Sequence, residues 1–148
     1  MSCLPNVHFL WEKPVDHLGG YPQHFDVCIM PYLMDDYTKY IYPLKMHEYL
    51  ASGRPVISSP ICSVEEFRDV ITVSGTCSEW THAIERAISP GQDTPAQCSK
   101  RQEVAREHDW DILAARIAST IAARLCIQIA GSSHPVESIS GAKLTLVT

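Results

Sequence analysis

A proline, a lysine and a glutamate stand in the order Pro43, Lys45, Glu48 within "YIYPLKMHEYLASGRPVISSP", residues Tyr40 to Pro60. Proline opens helices, since its fixed φ suits the first turn and its missing N–H has no partner there. Leu44, Met46, Tyr49 and Leu50 supply an inward side, while Gly53 and Pro55 end the helix, so the spacing predicts a helix over Pro43 to Ser52. Such a helix start offers free N–H groups and the positive end of a dipole, which together suit an anion. Leu44 and Lys45 supply amides, Lys45 adds a charge, and Glu48 about one turn on accepts hydrogen bonds from paired hydroxyls such as those of a ribose. Phosphate and sugar fit one surface.

The neighbouring residues add less. Asp35 and Asp36 offer contacts to sugar hydroxyls, but paired acids in loops commonly form turns. Tyr32, Tyr37, Tyr40 and Tyr42 serve equally as cleft lining or packing. His47 has no nucleophile beside it and reads as a packing or surface residue.

These residues need a scaffold. Val56 and Ile57, closed by Ser58, Ser59 and Pro60, read as a buried strand of a parallel sheet. Asn6 to Trp11, Phe25 to Tyr32 and Asp69 to Val73 read as three more strands, the Phe25 to Tyr32 run being apolar enough for burial on both faces. Residues between Glu12 and His24 are too broken by glycine and proline for a long helix. Ser63 and Glu66 have capping-box spacing, and Ser78 is placed to cap a helix whose Trp80, Ala83, Ile84, Ala87 and Ile88 share one face. Ala96 to His108 reads as a solvated helix, and Asp109 precedes a last amphipathic one that Arg116 and Arg124 suit to docking on the domain better than to a bilayer. Strands alternating with helices predict an α/β fold, a Rossmann-like parallel sheet with flanking helices, its ligand lying beyond the carboxyl ends of the strands.

Composition sets the bounds. The 148 residues are 45% hydrophobic, which suits one core, and the net charge of −5 argues against nucleic acid as a partner. The N-terminus has no secretory pattern, so a cytoplasmic location is expected. Cys3, Cys28, Cys62, Cys77, Cys98 and Cys126 contain no C-x-x-C pair, the histidines no H-x-x-x-H spacing, and neither a metal nor another cofactor is expected.

The segments "NVHFLWEKP", "HFDVCIMPYL" and "YPLKMHEYLASGRPVISSP" resemble the C-terminal nucleotide-sugar domain of GT-B-type (group 1) glycosyltransferases, most specifically in P-x-K-x-x-E-Y-L-A-x-G-x-P-V-I. The resemblance covers residues 5 to about 125, with "HDWDILAARI" similar to a late Trp-containing helix. It implies a hexosyltransferase-like enzyme using a nucleotide diphosphate sugar as donor substrate, with Glu48 on the ribose and the Leu44 and Lys45 amides near the pyrophosphate. Pro43, Tyr40 and Asp36 complete the expected substrate-binding set, and no catalytic residue is assigned.

Three departures accompany it. The chain starts where the resembled domain has its third strand, which implies an N-terminally truncated form whose partner would be a missing N-terminal GT-B half. Tyr40 stands eight residues before Glu48, where many retaining members carry a second glutamate. Trp11 takes the place of a usual glycine. The expected organisation is a partial donor-binding domain over residues 1–130 and a flexible tail over 131–148. Peripheral membrane association through the acceptor is a further expectation. The rival reading is a noncatalytic remnant, a nucleotide-binding or interaction module. A receiver-like signalling domain fits less well, because Asp26 begins its strand instead of ending it.

Overall fold

A computed structural model describes residues 4–125. Cys3, Cys126 and the expected tail over 131–148 lie outside the described residues. Contacts divide the chain into two compact units, one ending at Asp109 and one beginning at Trp110.

The first unit is built on three parallel strands, β1 (Cys28–Met30), β2 (Val56–Ser58) and β3 (Ile71–Val73), in the order β1-β2-β3. Cys28 pairs with Val56 and Val56 with Ile71, so the apolar residues of adjacent strands stand side by side. Helix α2 (Leu44–Ser52) connects β1 to β2 and buries Met46 and Leu50, one turn apart, against Cys28, Met30 and Val56. Each such side chain contributes about 1.5–3 kcal/mol on burial. Ile57 points to the opposite face and is also buried, where α3 (Cys77–Ile88) contributes Ala83. Helices therefore cover both faces of the central strand β2, as the alternation of elements predicts. A short α1 (Val15–Leu18) and a 3-10 turn at Pro22–His24 fill the broken stretch before β1.

Gly53 ends α2 with φ 76°, a left-handed conformation in which a side chain would be strained. A Cβ there would also lie 2.4 Å from Sγ of Cys98 on α4 (Pro95–Glu107). The glycine thus lets α4 approach the end of α2. Arg101 of α4, only 6% exposed, donates Nε–H to the Gly53 carbonyl at 2.9 Å and pairs with Asp93. The helix expected to be largely solvated is pinned through this buried arginine.

Several expectations are corrected. Asn6–Trp11 is not a strand, because no neighbouring strand receives its backbone groups and its residues are exposed. Trp11 is 87% exposed and has φ 56°, the backbone region that its counterpart glycine in the resembled pattern would adopt freely. The Phe25–Tyr32 run shortens to β1 and is buried on one face only, since β1 is the sheet edge and leaves Ile29 44% exposed. Pro43 is the residue before α2, not its first, with an extended ψ of 120°. No capping box forms at Ser63: Cys62–Phe67 is a 3-10 helix, and the Ser63 hydroxyl donates to the Ile41 carbonyl at 2.8 Å. Thr76, not Ser78, caps α3, in a reciprocal box with Glu79. A further box, Thr94 with Gln97, opens α4.

The second unit's described part is α5 (Trp110–Leu125), which carries Ile117, Ile121 and Leu125 at helical spacing. Among the described residues no helix is long and apolar enough to cross a membrane.

Candidate functional site

The site is assembled by one crossover. β1 ends at Met30, the loop Pro31–Tyr42 leaves its carboxyl end, and α2 starts at Leu44, so the helix N-terminus stands on the carboxyl side of the sheet. Backbone bonds extend the ladder beyond the strands: Ser59 N–H donates to Met30 O at 3.1 Å and Ser74 N–H to Ser58 O at 2.9 Å. The Ser59 hydroxyl donates to Tyr32 O at 2.8 Å. These bonds and the Ser63–Ile41 bond fix both ends of the loop.

No side chain caps α2, and its first turn carries no acid. Met46 N–H bonds to the Pro43 carbonyl at 3.1 Å, while Leu44 and Lys45, the first two helical positions, have no carbonyl within the helix to receive their N–H groups. Donors and dipole are thus left for a ligand. Leu44, Lys45 and Glu48 are exposed, and neither Lys45 nor Glu48 makes a hydrogen bond or ion pair among the described residues. Pro43 is buried and stiffens the approach.

The preceding loop is ordered by its own acid. Asp35 Oδ1 accepts the N–H groups of Tyr37 and Thr38 at 2.9 and 2.6 Å, and the Thr38 hydroxyl bonds to both Asp35 and the Leu33 carbonyl. These bonds, that from Thr38 N–H first, hold the Asp35 carboxyl below its usual range. Asp35 forms the turn, whereas Asp36 is exposed and free of such bonds. Tyr40 closes the 3-10 turn Thr38–Tyr40, 69% exposed, with Lys39 Nζ 5.3 Å from its ring centroid. No sequence pattern singles out Lys39; its place over an aromatic face emerges only from the turn.

Tyr42 and His47 bracket the start of the helix. The tyrosine hydroxyl lies 2.8 Å from His47 Nε2, and the imidazole stacks on His108 at 4.8 Å and meets Phe67 edge-on at 5.5 Å. His47 is indeed a packing residue. Elsewhere, burial pushes the Cys28 thiol up to about 11, so it acts as a small apolar side chain. Cys62, Cys77 and Cys98 are likewise unpaired, and no group of three metal-ligating side chains occurs among the described residues.

The chain is 30% identical over 116 residues to "Putative teichuronic acid biosynthesis glycosyltransferase TuaH" of Bacillus subtilis (strain 168), a match over 74% of this chain. It supports a relationship to glycosyltransferases. The match spans 28% of that relative's length. No family profile matches the chain, and no solved structure does.

Proposed function

We propose that the first unit is the donor-binding part of a GT-B-type glycosyltransferase, in which the start of α2 receives the diphosphate of a nucleotide sugar and Glu48 the ribose hydroxyls. The observation that carries this reading is the uncapped, acid-free N-terminus of α2 at the carboxyl side of a parallel sheet, with Lys45 and Glu48 exposed beside it. The relationship to a glycosyltransferase supports it.

In such a reaction the bond between the sugar's anomeric carbon and the phosphate oxygen breaks while an acceptor hydroxyl oxygen bonds to that carbon and gives its proton to the departing phosphate oxygen or to water. Negative charge grows on the leaving diphosphate. The Leu44 and Lys45 amides and the Lys45 ammonium would stabilise that charge, and they need no reorganisation to do so. Tyr40 and Asp36 stand on the loop where donor-sugar hydroxyls would pass. The acceptor is met by a second, GT-B N-terminal half that this reading places outside the described residues, and a cytoplasmic face of a membrane suits a hexosyl transfer to a lipid-borne acceptor.

A noncatalytic nucleotide-binding module is the second reading, favoured by Tyr40 standing where the resembled pattern has a carboxylate. Calorimetry with UDP-, GDP- and ADP-linked hexoses tests what both readings share. Glu48→Ala is expected to weaken binding about tenfold or more, from the ~1.5–3 kcal/mol of a hydrogen bond to a charged group, with the melting temperature unchanged. Equal affinities in wild type and variant would remove Glu48 from the site. Labelled sugar passing to an added acceptor would then separate transferase from binding module.

A further inference from the structure

Tyr42 and His47 occupy the positions just before the cap and four into the helix, where paired side chains set the angle at which a chain enters a helix. Here the pair combines a 2.8 Å hydrogen bond with ring centroids 5.6 Å apart. With no side-chain cap on α2, this contact is the local side-chain bond across the helix start.

Its surroundings disfavour a charge. His47 Nδ1 is buried and has no hydrogen-bond partner. The neutral ring leaves one nitrogen unpaired, whereas the protonated ring leaves a charged N–H without an acceptor, which is costlier. The groups facing the ring are Tyr42 from the entering segment, Glu66 from the Cys62–Phe67 turn and His108 from the end of α4. His108 Nδ1 lies 2.9 Å from the Val104 carbonyl, so that nitrogen carries a proton and the ring is held against His47. Burial, then the His108 charge, lower the affinity of His47 for a proton, and Glu66 opposes them more weakly.

We propose that the Tyr42–His47 pair is a protonation-sensitive staple, which holds the Leu44 and Lys45 amides in anion-receiving geometry while His47 is neutral and releases them when it is protonated. The effect on ligand rests on the donor-binding reading above; the effect on the amides does not. As pH falls, the imidazolium is driven from its stack on His108 and from the enclosed site of Nδ1, and the helix entry loses its brace. Donor affinity falls with it.

Amide-resolved NMR of the full 148-residue chain from about pH 8 to about pH 5 tests the staple. The Leu44 and Lys45 signals are expected to titrate with a midpoint below the ordinary histidine value of 6.5, and to lose that titration in His47→Phe. In His108→Phe the titration is expected to persist with its midpoint raised, because a repelling charge is gone. Signals that titrate alike in wild type and His47→Phe, or that follow His108 instead, would overturn the proposal. In parallel, UDP, GDP and ADP serve as probes, and acidification is expected to cost wild type about fivefold more affinity than His47→Phe, the ratio cancelling titration of the phosphates. If none of the three binds at neutral pH, the donor reading fails while the amide titration still decides the staple.

Discussion

Pro43, Lys45 and Glu48 share the start of one helix, and their spacing reports its polarity without any knowledge of packing. Arg101 carries no such signal. It lies among Lys100, Glu103, Arg106 and Glu107, and nothing in a charged helix marks which member turns inward. Its bonds to Gly53 and Asp93 predict that Arg101→Ala costs about 2–4 kcal/mol, because a partly buried carboxylate and a carbonyl lose their partner. Urea denaturation at neutral pH measures this. His47 carries a second prediction of opposite visibility, since its chemistry depends on residues far away in sequence. Its folded-state proton affinity is lowered, so the unfolded chain binds the proton better and stability is lost as pH falls below about 6.5 through the folded value. Melting temperatures across that window should fall more steeply for wild type than for His47→Phe.

Elements were predicted in kind more accurately than in extent. Every strand among the described residues has three residues, since pairing ends where the neighbour turns away, and an apolar run gives no notice of that. The Asn6–Trp11 run has strand composition but no adjacent edge to join. Caps were misplaced for a similar reason: Thr76 and Ser78 both precede the apolar face of α3, but Thr76 alone has Glu79 three residues on. Thr76→Ala should therefore cost about 1 kcal/mol, and Ser78→Ala close to nothing, by thermal denaturation. Gly53 offers a sharper test of how α2 and α4 meet. Gly53→Ala incurs roughly 1–2 kcal/mol for a left-handed alanine and, in addition, drives Cβ into Cys98. Adding Cys98→Ala should recover the part of the steric cost that Sγ causes, leaving the closer approach to Gln102, so the double variant should be more stable than the sum of the singles predicts.

At the scale of the molecule, the alternation of strands and helices foretold a parallel α/β sheet. What composition could not show is that β1 is an edge with Ile29 exposed. Free backbone groups beside an apolar side chain recruit other strands, so the 148-residue chain is expected to self-associate in sedimentation runs, and Ile29→Lys to reduce that association. We propose that a nucleotide sugar binds at the start of α2. An alternative location exists at the amino ends of the strands, where a cavity of roughly 300 Å³ is lined in part by Arg86, Asp93, Gln97 and Arg101. Amide-resolved NMR during titration with the tightest-binding nucleotide hexose separates the two most directly. The largest shifts are expected on Leu44, Lys45 and Glu48, and Glu48→Ala is expected to diminish them. Shifts concentrated on Arg86, Gln97 and Arg101, or unchanged by Glu48→Ala, would contradict binding at the start of α2.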